Sequence, residues 1–254
     1  MSGALPRVLA FSARGRFAAH RDPSVTTHQL VYYAPPKSAI VGMVGAILGT
    51  PRSETGELYS LAYVELLSSI RVGIGMLNGP ENRPQKVLFG TNRRTLEDTG
   101  HMKPTKSELV ENPDYRIYVT GKDETIDELR RRIDGHDPAY PVYFGHAYCQ
   151  ARVEDARVDD AQKVNGGGPV TVGTTVLRDP DAKTQYGVAG DSVIVENKMV
   201  HNERGGIVER RSIPHMIPLR GTGIKVGKTS SKWQEFLQWD ADEKRGDAGV
   251  FSVF

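Results

Sequence analysis

The chemistry on offer in this 254-residue chain is that of Tyr33, His101 and Lys103, of an arginine-rich loop, and of a cationic helix start. Metal-free cleavage of RNA needs a base for the 2′-hydroxyl, an acid for the leaving oxygen and a cation for the phosphorane charge. Tyr33, His101 and Lys103 have those chemistries. Arginine binds phosphate through paired donors, and an aromatic ring stacks on a base. Arg14, Arg16 and Arg21 bracket Phe17, with His20 beside them, in a glycine-containing loop. Tyr32-Tyr33 then runs into Pro35-Pro36-Lys37-Ser38. There the amides of a helix start can hold an anion, and Ser38 can accept orphan amide protons.

Other chemistries fail on spacing. The seven histidines show no metal-ligand pattern and the lone Cys149 cannot build a thiolate site, so neither metal nor cofactor is expected. No Gly-x-Ser-x-Gly is present to support a serine nucleophile. Gly221–Thr229 ends in Gly-Lys-Thr, but Thr222 stands where a phosphate loop needs glycine. Arg220, Lys225 and Lys228 read instead as basic strand ends or loops near RNA. The formal charge is only +2, yet it is unevenly placed. Residues 1–37 carry Arg7, Arg14, Arg16, Arg21 and Lys37 against Asp22, whereas Glu235–Asp247 is acidic. Such clustering suits an anionic partner on one face.

Patterning supplies the elements that position these groups. The proline pair holds its segment extended. The apolar run that follows, Ala39–Gly49, reads as a buried helix too short to span a bilayer. Gly42, Ala46 and Gly49 fall on one face of it, where another backbone is expected to come close. Arg7–Phe11 reads as a strand, Glu57–Leu67 as a helix, and Ser69–Leu77 as a strand closed by the Asn78-Gly79-Pro80 turn. Tyr115–Val119 reads as a strand, Asp123–Ile133 as a charged helix and Tyr140–Val153 as a strand region. That order predicts an α+β, ferredoxin-like domain over residues 1–154, the arrangement used by RNA-recognition domains. Residues 80–114 interrupt it with Arg83, Lys86, Arg93, Arg94, Lys103 and Lys106. Val87-Leu88-Phe89 and Leu96 are the main apolar groups there, so a protruding basic hairpin or loop is expected.

Asn165–Pro169 marks a linker or wide turn. Residues 155–254 form a small β-rich part, with runs at Val170–Leu177, Ser192–Val200 and Ile207–Ile213. Tyr143 and Phe144 read as core, Gly145-His146 as a tight turn beside a ligand, and Cys149 as a buried filler. A single cysteine fits a reducing compartment, and no apolar run reaches spanning length, so a cytoplasmic protein with no membrane partner is expected.

The run PPKSAIVGMVGAILG, preceded by Arg14-Gly15-Arg16-Phe17-Ala18-Ala19-His20-Arg21, resembles the amino-terminal signature of CRISPR-associated protein 5, in the form found in type I-B interference complexes. The resemblance continues more loosely through Tyr140–Gly145. It implies a subunit that caps a surveillance complex and grips the 5′ handle of the crRNA. It also implies that residues 80–114 reach the backbone subunit, CRISPR-associated protein 7. The large subunit, CRISPR-associated protein 8, docks on such a cap, and target DNA is met through the complex. Relatives of type I-C cleave precursor RNA with Tyr, Lys and His, but pair Lys and His adjacently, and here Met102 separates His101 from Lys103. A metal-independent endoribonuclease and a structural adaptor that binds acidic protein stay open beside the non-catalytic cap.

Overall fold

A computed structural model describes residues 5–22, 29–51, 53, 60–77, 85–93, 103–164, 170–177, 192–201, 207–218, 223–226, 235–239 and 249–254. The first half holds β1 (Arg7–Gly15), β2 (Phe17–Ala18), α1 (Lys37–Leu48), α2 (Leu61–Ser69) and β3 (Arg71–Met76). There follow β4 (Gln85–Arg93), β5 (Lys103–Glu111), β6 (Asp114–Thr120), α3 (Asp123–Asp134) and β7 (Ala151–Asp160). The remainder is β8 (Gln162–Lys163), β9 (Val170–Val172), β10 (Val176–Leu177), β11 (Ser192–His201), β12 (Ile207–Ile217), β13 (Ile224–Val226), β14 (Glu235–Gln238) and β15 (Val250–Val253). The protein is thus a mixed α and β structure in which strands predominate.

β1 is central because its alternation gives it two apolar faces. It pairs antiparallel with β6 and β7, and β3 pairs antiparallel with β6, giving the order β3-β6-β1-β7. Leu9, Phe11, Val72, Ile74, Tyr115, Ile117 and Val119 share a core with the buried residues of all three helices. α3 contributes Ile126, Leu129 and Ile133, as its spacing requires. α2 begins one residue after Ser60, whose Oγ accepts the Tyr63 N–H at 3.1 Å.

α1 corrects part of the sequence reading. Pro36, extended at ψ 162°, is its N-cap and no side chain caps it, so Ser38 does not take that role. Its buried residues are Ile40, Val41, Met43, Val44, Gly45 and Ile47. The Gly42–Ala46–Gly49 face is only half-buried, and a Cβ on Gly42 would meet nothing within 4 Å. Among the described residues no backbone lies against Gly42. Gly49 ends the helix in the left-handed region (φ +84°), donating its N–H to the Gly45 carbonyl.

The expected close approach is made at the far end of this face, where the Tyr140 N–H donates to the Ala46 carbonyl at 2.9 Å and a Cβ on Gly49 would stand 3.0 Å from Ala139 Cβ; a tighter one occurs at Gly73. A Cβ there would stand 2.2 Å from the Ser252 carbonyl oxygen. Bare backbone lets β15 lie across the second face of the sheet. Val8, Ala10 and Tyr118 on that face form a core with Ala161, Leu237, Trp239, Phe251 and Val253. Tyr118 stacks on Phe251 at 4.5 Å, and Phe254 and Val72 exchange backbone hydrogen bonds of 3.1 and 3.2 Å. Arg116, wholly buried there, donates to Ser12 Oγ and the Asp155 carbonyl. The second face of the sheet is therefore covered by β14, β15 and Trp239.

The expected strand over Tyr140–Val153 is also corrected. Residues 140–150 form turns with one bridge, Tyr143 to Gln150, and β7 starts at Ala151 and continues to Asp160. Pro141 and the left-handed Gly145 (φ +89°) break the alternation that a strand needs. β11 and β12 pair antiparallel; residues 202–206 between them and residues 165–169 lie outside the described residues.

Candidate nucleic-acid interface

The arginine loop and the inserted segment are joined at one place. β4 and β5 form an antiparallel hairpin from Gln85–Glu111 to Arg93–Lys103. β2 extends it, with Phe17 opposite Glu111 and Ala18 opposite Val110. Gln29 adds a bridge, its N–H donating to the Lys106 carbonyl at 3.2 Å and its carbonyl accepting the Glu108 N–H at 2.9 Å. Leu109 and Val110 are buried in the main core and Val87 packs against it. The insertion was expected to lie outside the core; its base is part of it. Leu88, 60% exposed, faces outward.

Tyr33 sits at this base. Lys86 Nζ lies 4.7 Å from its ring centroid and 3.1 Å from Glu108 Oε2, which also accepts the Val31 N–H. The Tyr33 carbonyl accepts the Tyr115 hydroxyl at 2.6 Å. Tyr32 is in the core and Tyr33 is half-buried. Lys86 was read only as part of a charge cluster. Its partner Tyr33 is remote in sequence, so no local pattern signals the contact.

The remaining candidates divide by environment. Arg14 is held by Asp114 and Glu154, both at 3.0 Å, so its charge is already matched. The Asp114 hydrogen bond raises the Arg14 pKa, while burial pushes the Asp114 carboxyl up. Arg16 and Arg21 are exposed, and neither makes an ion pair among the described residues. Arg16 lies 5.3 Å from the ring centroid of Phe17, which is half-buried against the core. His20 is a correction: it alternates with exposed Arg21, is 4% exposed, and packs edge-on to Phe144 at 5.9 Å. It belongs to the interior.

Lys37 and Ser38 occupy the first turn of α1, where the Ser38 carbonyl accepts the Tyr63 hydroxyl at 3.3 Å. Lys106, Lys225 and His146 are exposed. His146 stacks on Tyr148, a residue the sequence reading passed over. Arg94, His101, Arg220 and Lys228 lie outside the described residues. Burial pushes the Cys149 thiol up to about 11, which suits a packing residue and not a nucleophile.

The hairpin register separates the cleavage candidates. Arg93 and Lys103 pair at its far end, seven positions beyond Lys86, under which Tyr33 lies. At ~3.4 Å per residue that is roughly 24 Å. Tyr33 and the Lys103 backbone are not brought together.

Two buried imidazoles predict acid sensitivity. Burial pulls His20 down to about 3, and burial with the nearby Lys37 pulls His215 down to about 4. Both pKa values are depressed on folding, so the unfolded chain takes up protons first. Stability is full above about pH 6.5 and falls as pH drops towards 4, by about 1.4 kcal/mol per pH unit for each histidine. Urea midpoints between pH 7 and 4.5 check this, and His20→Phe should remove about one proton from the slope.

Comparison with known proteins follows the same geometry. The family model described as CRISPR-associated protein (Cas_Cas5) matches residues 8–243. The chain is similar in fold to a CRISPR protein from Archaeoglobus fulgidus, with a TM-score of 0.52 and 12% identity over 96% of this chain and 98% of that one. A chain of a CRISPR RNA-guided surveillance complex aligns with a TM-score of 0.48 and 14% identity, over 82% of this chain and 88% of that one. Direct comparison with curated proteins finds no match. With nearly its whole length covered by the family model, the chain belongs to the CRISPR-associated Cas5 family.

Proposed function

We propose that the chain is a non-catalytic, RNA-binding subunit of a type I-B CRISPR surveillance complex, gripping the 5′ handle of the crRNA. The observation that carries this reading is the joining of the segment that bears the exposed Arg16 and Arg21 to a basic hairpin through β2 and β5. Exposed cations on a rigid base supply shape-dependent phosphate contacts. The strand order β3-β6-β1-β7, with helices after β1 and β6, supports a ferredoxin-like first domain whose fourth strand carries it past the expected boundary at 154 to Asp160. β14 and β15, with Ala161 and Trp239, act as its cover, which turns RNA away from the sheet and towards the loops. The part of the hairpin beyond Gly90 and Lys106 is what contacts the backbone subunit, CRISPR-associated protein 7. CRISPR-associated protein 8 and target DNA are met through the assembled complex, in the reducing cytoplasm that a lone Cys149 suits.

The separation of Tyr33 from Lys103 supports the absence of catalysis. Co-expression with a repeat–spacer RNA and the backbone subunit, followed by purification in high salt, tests the reading. We expect guide RNA bearing the handle to co-purify. A purified chain that cuts repeat RNA without metal to 2′,3′-cyclic phosphate ends, and loses this in His101→Ala/Lys103→Ala, would overturn the non-catalytic role.

A further inference from the structure

We infer that the turn at residues 143–149 is a nucleobase-stacking site for single-stranded RNA, with Tyr148 and His146 taking the base and Arg16 and Arg21 the flanking phosphates. The inference deepens the RNA-binding reading and rests on it. Tyr148 is 58% exposed and Tyr143 37% exposed, an unusual concentration of aromatic surface on one short turn. The His146 and Tyr148 rings are parallel to within 7° at 5.2 Å, a stack that a base can extend.

The platform is fixed before any ligand arrives. Phe144 is fully buried, its N–H donates to the Cys149 carbonyl at 2.8 Å, and the Cys149 N–H donates to the His146 carbonyl at 2.8 Å. Gly145 is left-handed, and a Cβ on it would stand 2.3 Å from the Ala19 carbonyl oxygen. Glycine is what lets the turn seat on the arginine loop. Little ordering entropy then remains to oppose stacking.

Its neighbours have the right charge. The Ala19 N–H donates to the Phe144 carbonyl at 2.9 Å, and a Cβ on Gly15 would stand 2.7 Å from the Gln150 carbonyl oxygen. Residues 15–19 therefore pass the closed end of the turn at Phe144 and Gln150, with Arg16 between the two contact positions in the chain and Arg21 two residues beyond Ala19. Aromatic and guanidinium groups on adjoining segments are the pairing that single-stranded RNA uses. A protein partner would use the aromatic surface but not require the phosphate donors.

Fluorescence anisotropy with the full chain and a labelled oligouridine of about ten nucleotides decides the matter. We expect Tyr148→Ala to weaken binding about 5- to 150-fold with an unchanged salt slope, and Tyr148→Trp to restore it. Arg16→Ala and Arg21→Ala should each lower the slope by about one. Irradiation of a 5-iodouridine probe should cross-link Tyr148. Wild-type affinity in Tyr148→Ala would overturn the inference and assign the aromatic surface to a protein contact, while leaving RNA binding intact. A loss that Tyr148→Trp fails to restore would also overturn it, as a structural defect of the turn. A wild-type chain that binds no RNA, alone or within the co-expressed complex, would defeat the RNA-binding reading itself.

Discussion

Gly73→Ala is expected to cost about 3 kcal/mol, a large effect for one methyl group. The added Cβ would collide with the Ser252 carbonyl, which is backbone and cannot swing aside. Relief requires β15 to leave the sheet, and its departure would loosen Phe251 and Val253 from Tyr118 and Ala10. Hydrogen exchange should report the change first at residues 250–254, before global unfolding. Gly42→Ala is the control, because open space surrounds that position. It should hold stability or raise it by up to about 1 kcal/mol through helix propensity. Equal urea midpoints for Gly73→Ala and wild type would show that the sheet face is not sealed.

Replacing residues 91–105 with Asn-Gly should leave the protein folded and abolish its assembly into an RNA-bound complex. The cut leaves Gly90 opposite Lys106, a register that a two-residue turn can close. The Gln29 bridge, Lys86–Glu108 and the buried Leu109 and Val110 all lie on the retained side. Removing the whole of 80–114 is a different experiment. It deletes Leu109 and Val110 from the core, at about 2–5 kcal/mol for a large buried aliphatic side chain, and should unfold the domain. Thermal melts and co-purification of guide RNA together check both halves of this expectation.

The alternation in residues 7–11, 70–76 and 115–119 and the 126–129–133 spacing of α3 made the order of elements readable, because each pattern is local. The cover on the sheet was not readable. Gly73 and Gly75 alternate with Val72, Ile74 and Met76, and such a face looks the same in sequence whether water or a distant strand lies on it. Ser252, the group that explains Gly73, is far away in the chain. Arg14 misled for the same reason. Read locally it joins a basic cluster, but β7 places Glu154 on it and β6 places Asp114 there. His20 was legible in principle, since alternation with Arg21 turns it inward once the Arg21–Val31 bridge is known. The glycine stripe of α1 was spaced correctly for close packing, yet nothing in its own residues says which side of the helix meets the sheet.

Mapping RNA–protein cross-links in the complex purified with guide RNA tests most directly where the chain holds its ligand. We expect cross-linked peptides from residues 16–21, 86–106 and 143–149, and none from the covered face around Tyr118 and Phe251. Cross-links confined to α3, β7 or the strands β14 and β15, with the arginine loop and hairpin silent, would contradict the assignment of the RNA-binding surface.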